Sequence, residues 1–415
     1  MKKTLTITLF LVFIVGIESA EAQLLKKLQK RTERAAEKAI LRKTEKKVYN
    51  ETSKKMDTLL GNKNKNKKQH KEHSKEESDK YSIENNTNSN NQEVEIWRNY
   101  KFIPGEKVIF YDDLKSEEVG EFPSRWDLIK GGAEIAQFNG EKVIIPTAKY
   151  DNTITPLFEG KNYLSDEFTI EFDVYVEKST ASNFWTEIFI YLNPKSSNKI
   201  RLMLSNGKKT KGYAGNTNFS LEEVPLGKMN TWHHIAMSYN KGKFKLYYDD
   251  KRIANLPKLN IEPTEFSISF RGHASGKQKL NAPIKNIRIA HGGGQMYNRI
   301  VTDGKYVTNG ILFDSGKSII KPQSIGIINK IVTILEEKPD WKFEIIGHTD
   351  TDGETELNLI LSKKRAKAVK QALINKGIDG TRLTTLGKGE SEPLNKNSTS
   401  EEKANNRRVE FIIQK

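Results

Sequence analysis

The chain has 415 residues, with 69 Lys and Arg against 53 Asp and Glu, a net charge of +16 and no cysteine. That length is enough for two or three domains. Absence of cysteine excludes disulfides, thiolate metal sites and an N-terminal cysteine that could carry lipid.

At the N-terminus Lys2 and Lys3 precede an apolar run, Leu5 to Ile17, and then Ala20-Glu21-Ala22. This reads as a secretory signal peptide over residues 1–22 with an A-x-A cleavage site. The run falls short of the ~20 residues a membrane-spanning helix needs, so an uncleaved anchor is the weaker alternative. No later stretch is apolar enough to span as a helix. Residues 23–60 form a basic, partly helical segment with a narrow stripe of Leu25, Leu28, Ala35 and Ala39, mostly alanine and so a marginal helix. Residues 61–96 are rich in Lys, Asn and Ser, cannot bury a core, and read as a disordered linker. About +12 of the net charge lies between Gln23 and Lys75. For an exported chain without a basic platform interleaved with aromatics, this points to acidic envelope polymers rather than nucleic acid.

From Trp97 strand signals recur. Phe168 to Glu177 alternates strictly, with Phe168, Ile170, Phe172, Val174 and Val176 on one face and Glu171, Asp173 and Glu177 on the expected wet face. Trp185–Leu192 and Ile200–Leu204 continue the pattern. Trp232–Tyr239 and Phe244–Tyr248 flank Asn240-Lys241-Gly242-Lys243, a hairpin signal. Ile253 restarts a strand, and Phe266–Phe270 and Ile284–Ala290 finish a domain spanning 97–292. Such a series implies an antiparallel sandwich. His233 and His234 are adjacent on a strand and point to opposite faces, so they cannot form one metal site. Asp112, Asp113, Asp249 and Asp250 would suit calcium, but turns favour Asp in any case; no metal ligand is assigned and no cofactor is expected.

His291-Gly292-Gly293-Gly294 reads as a flexible joint before a second domain, 300–415. There Gly310–Asp314 reads as a strand, and Pro322 opens a helix to about Lys338 with Ile325, Ile328, Val332 and Leu335 inward. Trp341–Gly347 is a strand, Thr355–Lys376 a helix, Arg382–Gly387 and Arg407–Ile413 strands: a β-α-β-α-β-β order. Within the second helix the apolar residues Leu357, Leu361, Ala368, Val369, Ala372 and Leu373 share a face. At about 100° per residue Arg365 projects near its middle, with Asn358 beside it. A buried arginine needs a partner, since an unpaired buried charge costs several kcal/mol. Asp350, in the preceding turn, is the nearest candidate. The two either pair permanently or split to hold a zwitterion.

The motifs around this pair are Gly347-His348-Thr349-Asp350-Thr351-Asp352-Gly353, Asn358, Leu361-Ser362-Lys363-Lys364-Arg365-Ala366, Gly387-Lys388-Gly389-Glu390 with Pro393, and Asn406-Arg407-Arg408-Val409-Glu410. This resembles the OmpA-like C-terminal domain, the peptidoglycan-binding module of Gram-negative envelopes. The resemblance implies that Asp350 and Arg365 grip the diaminopimelate of the peptide stem, with Thr349, Asn358, Leu361 and Arg407 lining or bracing the pocket. Leu357 departs from an aromatic common in the family, at a position expected to face the core. His348 is expected as a turn or supporting residue rather than a catalytic base, since no nucleophile motif accompanies it. The middle domain, through Trp232-His233-His234-Ile235-Ala236, Lys245 to Arg252, and Phe110-Tyr111-Asp112-Asp113-Leu114 with Phe122-Pro123-Ser124-Arg125-Trp126, resembles the laminin-G-like or concanavalin A-like jelly roll.

That fold also hosts glycoside hydrolases whose acids lie on one strand as Glu-x-Asp-x-Glu or Glu-x-Asp-x-x-Glu. Glu171 and Asp173 match the first two positions, but the acid positions hold Tyr175 and Val176. Glu177 is ~20 Å from Glu171 along a strand, far beyond the ~5–5.5 Å of retaining chemistry. The sequence therefore describes a multidomain α+β chain, a jelly-roll β-sandwich followed by a small OmpA-like domain. It reads as a non-enzymatic exported protein of the periplasm, associated with the cell wall and outer membrane and at most peripheral to the membrane. Peptidoglycan is its expected partner, with a glycan or protein on the sandwich. The alternatives are a wall-tethered glycoside hydrolase or carbohydrate-binding protein using the jelly roll, and an outer-membrane barrel, for which the strands are short against the ~9–11 residues required.

Overall fold

The computed structural model describes residues 100–415 apart from 149–150, 177–183, 195–198, 206–210, 215–216, 221–229, 275–281, 295 and 415. The expected signal peptide, basic segment and linker lie outside the described residues, as does Glu177.

In chain order the first strands are β1 (Lys107–Asp112), β2 (Trp126–Lys130), β3 (Ala133–Phe138), β4 (Glu141–Pro146), β5 (Asn152–Pro156), β6 (Glu167–Val176), β7 (Phe184–Tyr191), β8 (Ile200–Ser205), β9 (Lys211–Ala214), β10 (Thr217–Ser220), β11 (Thr231–Asn240), β12 (Lys243–Tyr248), β13 (Lys251–Leu256), β14 (Ser267–Ala274) and β15 (Ile284–His291). One sheet runs β13-β12-β11-β6-β15-β4-β3, with β1 also on β15; the second runs β10-β9-β8-β7-β14-β5-β2. Their pairings are antiparallel. The apolar face of β6 is wholly buried in the shared core, as its alternation requires. The hairpin between β11 and β12 turns on Lys241 (φ 46°) and Gly242 (φ 90°), the two positive values of a type I′ turn. Both sheets end in open edges around a core filled by side chains, so these residues form a sandwich and not a closed barrel.

Beyond it come α1 (Met296–Asp303), β16 (Lys305–Thr308), α2 (Ile325–Glu337), β17 (Lys342–His348), α3 (Thr355–Ile374), β18 (Leu383–Gly389), α4 (Ser400–Asn406) and β19 (Val409–Gln414). The sheet order is β16-β19-β17-β18, with only β17 and β18 parallel. The first strand is Lys305–Thr308 rather than the expected Gly310–Asp314. Gly310 is wedged where a Cβ would meet Ile327 and Pro104. Leu312 donates its N–H to Ser324 Oγ (2.8 Å), and Asp314–Lys317 then turns through Gly316 at φ 68°. Pro322–Ser324 is a 3-10 turn leading into α2. The short α4 was not anticipated, although its start is a capping box: Glu402 N–H donates to Thr399 Oγ1 (3.1 Å) and the Glu402 carboxylate accepts from Thr399 N–H.

The two parts are packed together. Tyr100 and Phe102 are buried against Tyr247 and Ala236 of the sandwich and Ile325 of α2. Gly326 is a glycine because the Phe102 carbonyl occupies the space of its Cβ. The outward edge of β1 is covered by α4: Asn405 exchanges hydrogen bonds with Val108 N–H and C=O (both 2.9 Å), and Glu401 accepts from Tyr111 N–H (2.9 Å). The glycine run is not a loose joint here. Gly292 N–H donates to the Glu167 carbonyl (2.9 Å) and Gly293 N–H to Glu106 (3.0 Å).

Candidate functional site

The site begins with glycines. A Cβ at Gly347 would strike the Ser362 carbonyl, and one at Gly387 would strike the Lys363 amide and Ser362 Oγ (2.7 Å). Helix α3 therefore lies directly on β17 and β18 through its small residues. This sets its phase: Asn358, Ser362, Arg365, Ala366, Val369 and Leu373 are buried, while Leu361 is half-buried and Leu357 is 40% exposed. Leu357 does not face the core. The apolar face read from the sequence is displaced toward the small residues, but Arg365 and Asn358 are inside, as expected.

Arg365 is 9% exposed. Its Nε donates to the Lys317 carbonyl (3.1 Å), one Nη to the Asp314 carbonyl (3.5 Å), and its plane lies over the Phe313 ring at 4.9 Å. A guanidinium has five N–H donors, so these two bonds leave three unspent. No carboxylate is ion-paired with Arg365 among the described residues. Burial pushes its pKa down to about 10 against the attraction of Asp350, so it stays charged at neutral pH.

Asp350 is close enough to be felt by Arg365 but is bonded elsewhere. Its Oδ2 accepts from Arg407 Nη1 at 2.5 Å and its Oδ1 from Asp352 N–H at 3.2 Å. The permanent Asp350–Arg365 pair is thus not formed. Asn358 braces the acid's loop, donating to the carbonyls of Asp350 (3.2 Å) and Asp352 (3.3 Å) and to Glu390 (2.6 Å). Thr349 is buried, and its hydroxyl has no hydrogen-bond partner among the described residues. His348 is buried, with Nε2 at 3.2 Å from Glu410 Oε1, a supporting position. That contact and Arg408 hold the Glu410 carboxyl down at about 2.

The sequence reading missed Phe313 and the 314–317 turn that seats Arg365; the cluster Asp314-Ser315-Gly316 is a turn signal placed inside the supposed strand. It also missed Tyr111, whose ring lies 5.3 Å from the Arg407 guanidinium. A cavity of about 150 Å³ opens between the two parts, with Arg365, Arg407 and His348 on one side and Glu171, Asp173 and His234 on the other.

That second wall was expected to be wet. Instead Glu171 is 3% exposed and bonded to Arg288 (2.6 Å), which also donates to the Gly105 carbonyl (2.6 Å) and to Asn309 (2.5 Å). His234 Nδ1 lies 2.8 Å from Asp173 and Nε2 3.5 Å from Glu171. Burial opposes the imidazolium, but the two carboxylates raise His234 to about 10. Burial raises Glu171 and Asp173, yet Arg288 and His234 bring Glu171, and His234 with Asn286 brings Asp173, below their usual values. Neither carboxyl is kept protonated, as a glycosidase general acid must be. His233 bonds Asp249 (2.7 Å), and Asp112 accepts from the Trp126 indole (2.8 Å), so these acids brace the fold.

Residues 312–407 match the OmpA family model, and residues 150–292 match the model of the concanavalin A-like lectin/glucanases superfamily. The C-terminal region is an OmpA-family domain. The probable lipoprotein YiaD of Escherichia coli is 40% identical over 105 residues, 25% of this chain and 48% of its own length. Outer membrane protein A of Bordetella avium is 38% identical over 101 residues (24% and 52%). The peptidoglycan-binding protein ArfA of Mycobacterium bovis is 36% identical over 108 residues (26% and 33%). The chain thus spans a third to a half of these relatives' lengths. No helix among the described residues is long and apolar enough to cross a membrane.

Proposed function

We propose that this is a non-enzymatic, exported envelope protein of the periplasm whose OmpA-family domain holds peptidoglycan non-covalently. Arg365 takes the carboxylate of the diaminopimelate head group and Asp350 its ammonium. Arg407 holds Asp350 in place, Asn358 braces its loop, and Thr349 and Leu361 complete the pocket. The observation that carries this reading is the buried Arg365 with unspent donors and no carboxylate of its own. An arginine fork matches a carboxylate bidentately. The name of ArfA as a peptidoglycan-binding protein, and those of an outer membrane protein and a probable lipoprotein, support the same placement in the wall and outer membrane. The sandwich then serves as a spacer or second binding surface.

The test is co-sedimentation of the full chain with diaminopimelate-type sacculi. Wild type pellets, and Arg365→Ala and Asp350→Ala stay in the supernatant with unchanged circular dichroism. Equal pelleting of all three would remove the site assignment.

A further inference from the structure

The two halves of the stem-peptide pocket are seated from different parts of the molecule. Arg365 rests on its own domain, on the carbonyls of Lys317 and Asp314 and on the Phe313 ring. Arg407, which holds Asp350, rests on the sandwich: its guanidinium lies over the Tyr111 ring of β1, 5.3 Å from the centroid. Its one side-chain hydrogen bond among the described residues runs from Nη1 to Asp350 Oδ2 (2.5 Å). A guanidinium tied at a single nitrogen can swivel about that bond. A ring against its face removes that freedom and adds the attraction of a cation for a π-system within ~6 Å.

Tyr111 is itself fixed on both sides of its backbone. Its N–H donates to Glu401 of α4 (2.9 Å), and its carbonyl accepts from Arg125 Nη1. Arg125 Nη2 bonds the same Glu401 oxygen at 2.5 Å. The Tyr111 side chain packs against Val108, Ala290 and Ala404. One turn beyond Glu401, Asn405 clasps the Val108 backbone, and Arg407 is the C-cap of the same helix. Strand β1 and α4 are thus locked in register, and the lock ends at the ring and the guanidinium.

The pose of Arg407 matters because Asp350 must keep room for a ligand. Its Oδ1 accepts from Asp352 N–H and its Oδ2 from Arg407. Each carboxylate oxygen has two lone pairs, so one on each is left for an ammonium. A guanidinium released from the ring would either close on the carboxylate as a bidentate fork or leave it. The first fills the sites the ammonium needs, and the second lets the acid turn away.

We propose that Tyr111 is a positioning residue for the stem-peptide pocket: its ring holds Arg407 in a one-point grip on Asp350, so the sandwich sets the half of the pocket that takes the ammonium. This role presupposes that the pocket holds a stem peptide. It makes the sandwich part of the binding site, and it confines the influence of Tyr111 to ammonium recognition, since Arg365 is seated within its own domain.

The experiment is calorimetric titration of the full chain with two stem tripeptides. One ends in diaminopimelate and one in 2-aminopimelate, which keeps the distal carboxylate and lacks the distal ammonium. The readout is the ratio of the two affinities, and wild type prefers the diaminopimelate peptide. Tyr111→Leu, which loses the ring, lowers the ratio about fivefold, the size of a partly exposed cation–π contact, with the 2-aminopimelate affinity unchanged. Tyr111→Phe keeps the ring and the wild-type ratio. Pentafluorophenylalanine in place of Tyr111 keeps the shape of Phe but reverses the charge on the ring face, and it lowers the ratio as Tyr111→Leu does. In an Asp350→Asn background Tyr111→Leu has no further effect. A merely structural role would weaken both peptides alike. Equal weakening of both, or an unchanged ratio with the fluorinated ring, overturns the role of Tyr111 and leaves the pocket in place. Binding of neither peptide by wild type, or no preference between them, overturns the stem-peptide reading and this role with it.

Discussion

On the sandwich side of the cavity Glu171, Asp173, His234 and Arg288 answer one another's charges, and Asn286 and Asn309 complete the set. On the C-terminal side Asp350 is answered by Arg407, but Arg365 has only carbonyls and an aromatic ring. Both clusters are buried, and both sit where a helix or strand presents charge to an interface. The first is closed and gains nothing from a ligand. The second pays the desolvation of a cation without an anion to offset it, which is the condition for binding one. Burial of charge alone therefore does not distinguish the two clusters; incomplete pairing does.

Substitutions should separate the two clusters. His234→Ala leaves two carboxylates side by side with one cation fewer and costs about 3–5 kcal/mol, read as a lower urea midpoint. The same group sets a pH dependence. Its folded pKa of about 10 lies above the unfolded value of ~6.5. Its contribution is complete below pH ~6.5 and is lost as pH rises toward 10. Wild type should lose stability over that window, and His234→Gln should not. Arg365→Met should do the reverse of His234→Ala: stability unchanged or improved, with stem-peptide affinity down by about 2–5 kcal/mol. If Arg365→Met unfolds the protein as His234→Ala does, both clusters are structural and the contrast fails. Gly387→Ala, which drives a methyl into the backbone of α3, should cost about 1–3 kcal/mol and displace Arg365, lowering affinity as well. Thr399→Ala removes the cap of α4 and should cost about 1 kcal/mol, with the loss felt where Asn405 and Glu401 hold β1.

Much of this was legible in the chain. The alternation of Phe168 to Val176 gave the core face of β6, Lys241-Gly242 gave the hairpin, and helix phase put Arg365 and Asn358 on the buried side of α3. What escaped has a common cause. Alternation tells which residues leave the core but not what lies beyond them, so Glu171 and Asp173 were read as wet although the OmpA-family domain covers them. Helix phase was read from large apolar side chains, but Gly347 and Gly387 draw in Ser362 and Ala366 and leave Leu357 outside. The partner of Asp350 is Arg407, 57 residues away, and local spacing favours the nearer Arg365. The seat of Arg365, Phe313 with the 314–317 turn, lay hidden in a run that mimics a strand.

The central claim is that Arg365 awaits a carboxylate. Calorimetric titration of the full chain with two stem tripeptides, one ending in diaminopimelate and one in lysine, tests it most directly, because the two differ only in that carboxylate. The account predicts heat and saturation with the diaminopimelate peptide and affinity at least about 30-fold weaker with the lysine peptide, the loss of one desolvated charge pair. Equal affinity for the two would contradict it.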